Sequence, residues 1–202
     1  MTTAVLVIDM QNGFVHESGS LPRNGMGLPN TTEVIAENQA LLAATRALGL
    51  PVIYTRHVFR PDFVEVPARM DLLKTMTPVP LVRGSWDADV VDELAPAAGD
   101  VIIDKSRYDA FLYTDLETVL RGLGVTRLLV TGVVTSICVE STVRSGHQRD
   151  FDMLVAADCV SAAESQHGPA LEVMGAVFAE VAPWRELVAA HLTPAVVAEV
   201  AG

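Results

Sequence analysis

Short apolar runs rich in Val and Ile recur along this chain, and each is followed by a longer stretch with helical periodicity. The runs are residues 4–9 (AVLVID), 51–55 (PVIYT), 101–104 (VIID), 127–131 (RLLVT) and 153–157 (MLVAA). They are apolar at successive rather than alternate positions, which reads as parallel strands covered on both faces. Helices are expected over about 31–48, where Asn30-Thr31-Thr32-Glu33 supplies a start and Gly49 with Pro51 a stop, and then over 115–121, 137–149 and 168–179. Residues 181–201 have room for one further strand and one helix. This alternation predicts a doubly wound, Rossmann-like α/β fold, with a mainly parallel sheet of six strands and helices on both faces. No repeat or linker-like shift divides the chain, so residues 1–202 read as a single domain. Residues 56–100 are the least regular. Pro61, Pro67, Pro78 and Pro80 break any long element there, and a wall or lid is expected.

In a doubly wound sheet of strand order 3-2-1-4-5-6, strands 1 and 4 are neighbours where the winding reverses, and ligands bind beyond the carboxyl ends of the strands at that point. Chemistry is therefore expected just after Ile8 and just after Thr131. Composition narrows the partners. Fourteen Lys and Arg against 25 Asp and Glu give a net charge of −11, a field that repels phosphate backbones and anionic lipid surfaces. Nucleic acid and membrane are set aside, and a small molecule is the expected partner. Mean hydropathy is +0.34, yet charge-free stretches such as residues 128–139 fall well short of the roughly 18 apolar residues of a membrane span. The N-terminus has no basic region and places Asp9 directly behind its apolar run, unlike a signal peptide, which predicts a cytoplasmic location. Cys138 and Cys159 have no neighbouring Cys or His at zinc-ligand spacing, so neither a disulfide framework nor a metal site is expected.

Asp9 closes the first strand, where a carboxylate rising from an apolar floor can act as a base near neutrality. Taken alone it reads more readily as a cap for the next turn. Lys105 follows the third strand, and only that position separates it from an ordinary surface lysine. Cys138 lies after the fourth strand at the start of a helix, where the dipole and free N–H groups favour a thiolate. The competing reading is an inert core cysteine. Cys159, with no such helix start, reads as packing. Cys138 and Arg144 also stand at the Cys-x5-Arg spacing of thiol phosphatases, but the intervening residues offer no glycine for a phosphate nest, and Glu140 would repel a dianion. His57, His147 and His167 are scattered singly and give no dyad spacing.

The segments Val5 to Phe14 (VLVIDMQNGF), Asp104 to Phe111 (DKSRYDAF) and Thr131 to Arg144 (TGVVTSICVESTVR) together resemble the isochorismatase-like cysteine hydrolases, over nearly the whole chain. The resemblance implies a catalytic triad of Asp9, Lys105 and Cys138, a cis peptide between Val133 and Val134, and self-association into a homo-oligomer. Isochorismatases proper generally lack the nucleophilic cysteine. Nicotinamidases usually carry an Asp-x-His metal motif after strand two, where this chain has His57 and Phe59. What remains is the metal-free, cofactor-free group, which cleaves a C–N bond of small amide, carbamoyl or ureido substrates through a thioester and releases ammonia or an amine. On this reading the N–H groups of Val134 and Cys138 form the oxyanion hole, and Phe14, His57, Trp86 and Tyr108 are the candidate pocket residues. Vinyl ether hydrolysis, a nicotinamidase-like amidase, phosphatase chemistry and a non-catalytic binding module stand as alternatives. A thiol flanked by Lys105 and a helix start is expected to ionise below its free value of about 8.5, with Asp9 partly opposing this.

Overall fold

The computed structural model describes residues 1–192. Its strands are β1 (Thr2–Ile8), β2 (Val52–His57), β3 (Val101–Lys105), β4 (Val125–Val133), β5 (Asp152–Ser161) and β6 (Glu180–Ala182). All pair in parallel, in one sheet of order β3-β2-β1-β4-β5-β6, the order the sequence predicts. Seven α-helices accompany them among the described residues: α1 (Asn12–Val15), α2 (Ser20–Arg23), α3 (Thr31–Ala47), α4 (Leu116–Gly122), α5 (Glu140–His147), α6 (Glu164–Val177) and α7 (Trp184–His191).

Successive strand side chains point to opposite faces. Val5, Val7, Tyr54, Leu129 and Leu154 form one core with Leu41 and Leu42 of α3 and Leu187 of α7. Leu6, Ile8, Ile53, Leu128 and Val130 form the other, with Leu116 of α4, Val143 of α5 and Met174 of α6. Both faces are therefore dry, which is why the strand sequences are apolar at every position.

Four local features depart from the sequence expectation. Helices α1 and α2 occupy a stretch that reads as loop. Asn30 stands at the N-cap of α3 with φ 54° and makes no side-chain capping bond. Helix α6 begins ahead of Gly168-Pro169, because the Ala163 carbonyl already accepts the N–H groups of Gln166 and His167 at 2.8 and 3.0 Å. The segment 137–149 divides into a wider π-turn, Thr135–Val139, followed by α5.

The sheet register sets the site. Ile8 lies opposite Thr55 on one side and Gly132 on the other, and His57 lies opposite Lys105. Gly132 has φ 109°, and a Cβ there would sit 2.0 Å from the Ile8 carbonyl oxygen, so only glycine lets β4 pass this close to β1. Residues 56–100 form a wall, tied by Asn12 N–H to Asp89 O (2.9 Å) and Val91 N–H to Met10 O (2.9 Å). The Asp87 carboxylate adds bonds from Ser20 N–H, Ser20 Oγ–H and Leu81 N–H at 2.8, 2.6 and 2.8 Å. No helix among the described residues is long and apolar enough to cross a membrane.

Candidate active site

Where the winding reverses, the chain leaves β1 through Asp9 at φ 52°. Its carboxylate stays buried below the sheet edge. Oδ1 accepts the Thr55 hydroxyl at 2.7 Å, and Oδ2 meets Lys105 Nζ at 2.6 Å. Lys105 ends β3, is itself 2 % exposed, and also donates to the Arg107 carbonyl at 3.1 Å. Burial disfavours its charge, but the Asp9 carboxylate and then Cys138 outweigh that, and its pKa stands above the ordinary lysine value.

Cys138, 2 % exposed in the π-turn, lies within hydrogen-bonding reach of both Asp9 and Lys105. The three residues named from the sequence thus share one dry compartment, reached from three different strand ends. The expectation of a thiol ionising below its free value is corrected: burial pushes Cys138 up to about 12, Lys105 pulls the other way, and Asp9 adds to the rise. Complete loss of hydration outweighs one cation when that cation is already neutralised by Asp9. These surroundings favour the thiol over the thiolate, beside the Asp9 carboxylate. Val134 precedes the π-turn, after a cis Val133–Val134 bond. Its carbonyl anchors the turn by accepting Ile137 N–H at 3.0 Å and Val139 N–H at 3.2 Å.

The four candidate pocket residues divide. His57, 2 % exposed, lies beside the compartment: donor atoms of Asp9, His57 and Cys138 all fall within 4.8 Å of one another. Burial first, then the charges of Lys105 and Arg107, hold its pKa well below the ordinary histidine value. Tyr108 meets His57 edge-on at 5.9 Å between ring centroids, and burial raises its pKa while Lys105 opposes this. Phe14 is buried within the core on the α3 side. Trp86 is half exposed, with its ring against His16 at 5.0 Å. The structure sets the His57 ring beside the compartment and Tyr108 against that ring, while Phe14 packs in the core and Trp86 against His16.

Two residues escaped the sequence reading. Thr55 orients Asp9. Gln11 grips the His57 backbone, accepting its N–H at 2.7 Å and donating to its carbonyl at 3.0 Å. No local signal marks either one, since each acts through a partner 46 residues away. Asp9, His57 and Cys138 are also the one donor set among the described residues with spacing to hold a metal ion. Both Asp9 oxygens already have partners, however, and one of these is the Lys105 ammonium. The phosphate cradle does not form: Arg144 pairs with Glu140 at 2.6 Å and stacks on Phe178 at 4.4 Å. Cys159 is fully buried, with its thiol pushed upward by burial and Asp158, in keeping with packing.

Comparison with known proteins gives the family and the fold. A family model described as the isochorismatase domain matches residues 3–186. A ureidoacrylate amidohydrolase, RutB, of Methylobacterium radiotolerans is 39% identical over 185 residues, covering 84% of this chain and 72% of the relative. The crystal structure of a cysteine hydrolase from Pseudomonas syringae pv. phaseolicola superposes with a TM-score of 0.85 at 33% identity, over 93% of this chain and 91% of the other. That of an N-carbamoylsarcosine amidase from Thermoplasma acidophilum gives 0.77 at 27%, over 91% and 97%. The chain belongs to the isochorismatase family.

Proposed function

We propose that this protein is a cysteine amidohydrolase that cleaves the C–N bond of a small amide, carbamoyl or ureido compound through a thioester. The observation that carries the reading is the buried contact of Cys138 with Asp9 and Lys105 at the switch point of the sheet. The ureidoacrylate and N-carbamoylsarcosine activities named for its relatives support the choice of bond.

Asp9 takes the thiol proton as the sulfur attacks the carbonyl carbon, so no free thiolate has to persist in the dry site. Lys105 holds the carboxylate in place and lowers the cost of negative charge on sulfur. The oxyanion is received by the N–H groups of Val134 and Cys138, donors of a kind whose individual loss costs about 2.7 to 4 kcal/mol in other enzymes. The C–N bond breaks as Asp9 returns the proton to the departing ammonia or amine. Water, deprotonated by Asp9, then cleaves the thioester and restores the thiol. No cofactor takes part.

The test is release of ammonia or amine across ureido acids, biuret-like compounds, primary amides and nicotinamide. Turnover of at least one carbamoyl, ureido or amide compound, lost in Cys138→Ala, is expected. Inertness toward all of them would overturn the reading.

A further inference from the structure

We propose that His57 is the specificity-determining residue of this site: its Nε2 accepts a hydrogen bond from the NH2 of an unsubstituted carbamoyl or primary amide group, so that the preferred leaving group is ammonia. The proposal rests on the amidohydrolase reading above and names the substrate class of the same site. His57 Nε2 is buried and has no hydrogen-bond partner. An orphaned polar atom of this kind is rare in a folded interior and calls for a partner the resting protein lacks. It is not remote from the chemistry, since a His57 nitrogen lies within 4.8 Å of both the Cys138 sulfur and an Asp9 oxygen.

The neighbours favour one role for the nitrogen. The charged and titratable groups around the ring are Asp9, Lys105, Arg107, Tyr108 and Cys138. Asp9 accepts the Thr55 hydroxyl at Oδ1, and its Oδ2, which has no hydrogen bond of its own, is held by the Lys105 charge at 2.6 Å, so the carboxylate is already compensated. Lys105 and Arg107 disfavour a second proton on the ring. These surroundings favour a neutral ring, and in the tautomer protonated at Nδ1 the unpartnered Nε2 offers a lone pair to a donor. When a substrate carbonyl carbon meets the Cys138 sulfur, its nitrogen is one bond away, and an NH2 has a hydrogen to give.

The ring is also fixed. Gln11 holds its backbone from both sides, and the rings of Phe59 and Tyr108 lie at 4.8 and 5.9 Å. Because it cannot swing aside, replacing the NH2 hydrogen that faces Nε2 by an alkyl group puts carbon against Nε2 and removes the bond. Sites built to bind a substrate N–H reject analogues lacking it far more strongly than apolar pockets reject an extra methylene.

The experiment measures kcat and KM for a ureido acid and its terminal N-methyl counterpart, following ammonia and methylamine release in the wild type, His57→Phe and His57→Gln. Iodoacetamide labelling of Cys138 reports in each case that the site is assembled. The wild type should prefer the unsubstituted substrate by on the order of 100-fold in kcat/KM. That preference should fall below about tenfold in His57→Phe, mainly through the unsubstituted substrate. His57→Gln, which still offers an acceptor, should recover part of it, and it decides the matter if the Phe variant does not fold. An unchanged preference in a variant that still labels at Cys138 overturns the proposal. So does wild-type activity that is lost to a chelator and restored by zinc, because His57 would then be a ligand. Wild-type protein that labels at Cys138 but releases nothing from either substrate defeats the amidohydrolase reading itself.

Discussion

Cys138 and Cys159 are both buried, burial raises both thiols above the ordinary value, and each has a carboxylate beside it, but a cation, Lys105, acts on Cys138 and none on Cys159. Cys138→Ala is therefore expected to abolish turnover with little change in melting temperature, while Cys159→Ala keeps its activity. With the thiol near 12, alkylation of Cys138 should keep accelerating from pH 7 to 10 with no plateau below pH 8, and Lys105→Met should slow it at every pH. A plateau below pH 8 would mean a resting thiolate. His57 provides a second test. Its folded pKa lies well below the ordinary value, so the unfolded chain binds the proton first as pH falls. The stability it confers is complete above about pH 6.5 and is lost as the pH drops from there toward the folded value. Urea midpoints should fall with acidification, and His57→Gln should flatten that slope. Asp9, Lys105 and Cys138 were singled out through the family resemblance that their three local motifs carry, each motif lying at a strand end. Thr55 and Gln11 were not, since their roles exist only through partners 46 residues away.

At the scale of elements, the strand order followed from alternation of apolar runs and helices, whereas α1, α2 and the π-turn left no such trace. The two short helices are held from outside, by Asp87 to Ser20 and by Asp89 to Asn12, contacts that no local periodicity announces. The π-turn follows from how β4 enters it. Gly132 brings that strand against the Ile8 carbonyl, one residue ahead of Asp9 and three ahead of Thr135. Gly132→Ala forces a Cβ into backbone at 2.0 Å and into a φ that side chains disfavour. A loss of about 2 to 4 kcal/mol is expected, with Asp9 and Cys138 drawn apart, so turnover should fall more than stability alone accounts for. Thermal unfolding compared with kcat below the transition checks this. Full kcat in a destabilised variant would detach the close approach from the site.

For the whole molecule the dominant field is the net charge of −11, while the compartment around Cys138 holds the cations Lys105 and Arg107 nearby. These act over different distances. At about 10 mM salt the screening length is roughly 30 Å, so an approaching carboxylate feels the acidic surface as a whole. At about 150 mM the length is roughly 8 Å, and only the last approach to the site remains unscreened. A ureido acid carries a carboxylate and a primary amide carries none, so salt separates the two. For the ureido acid kcat/KM should rise several-fold over that range, through KM rather than kcat, because long-range repulsion is removed while the short-range attraction survives. For the neutral amide it should change by less than about twofold, which also controls for salt effects on the protein itself. A fall in kcat/KM for the ureido acid with added salt would show that Arg107 and its neighbours project a positive field beyond the mouth of the site and outweigh the acidic surface.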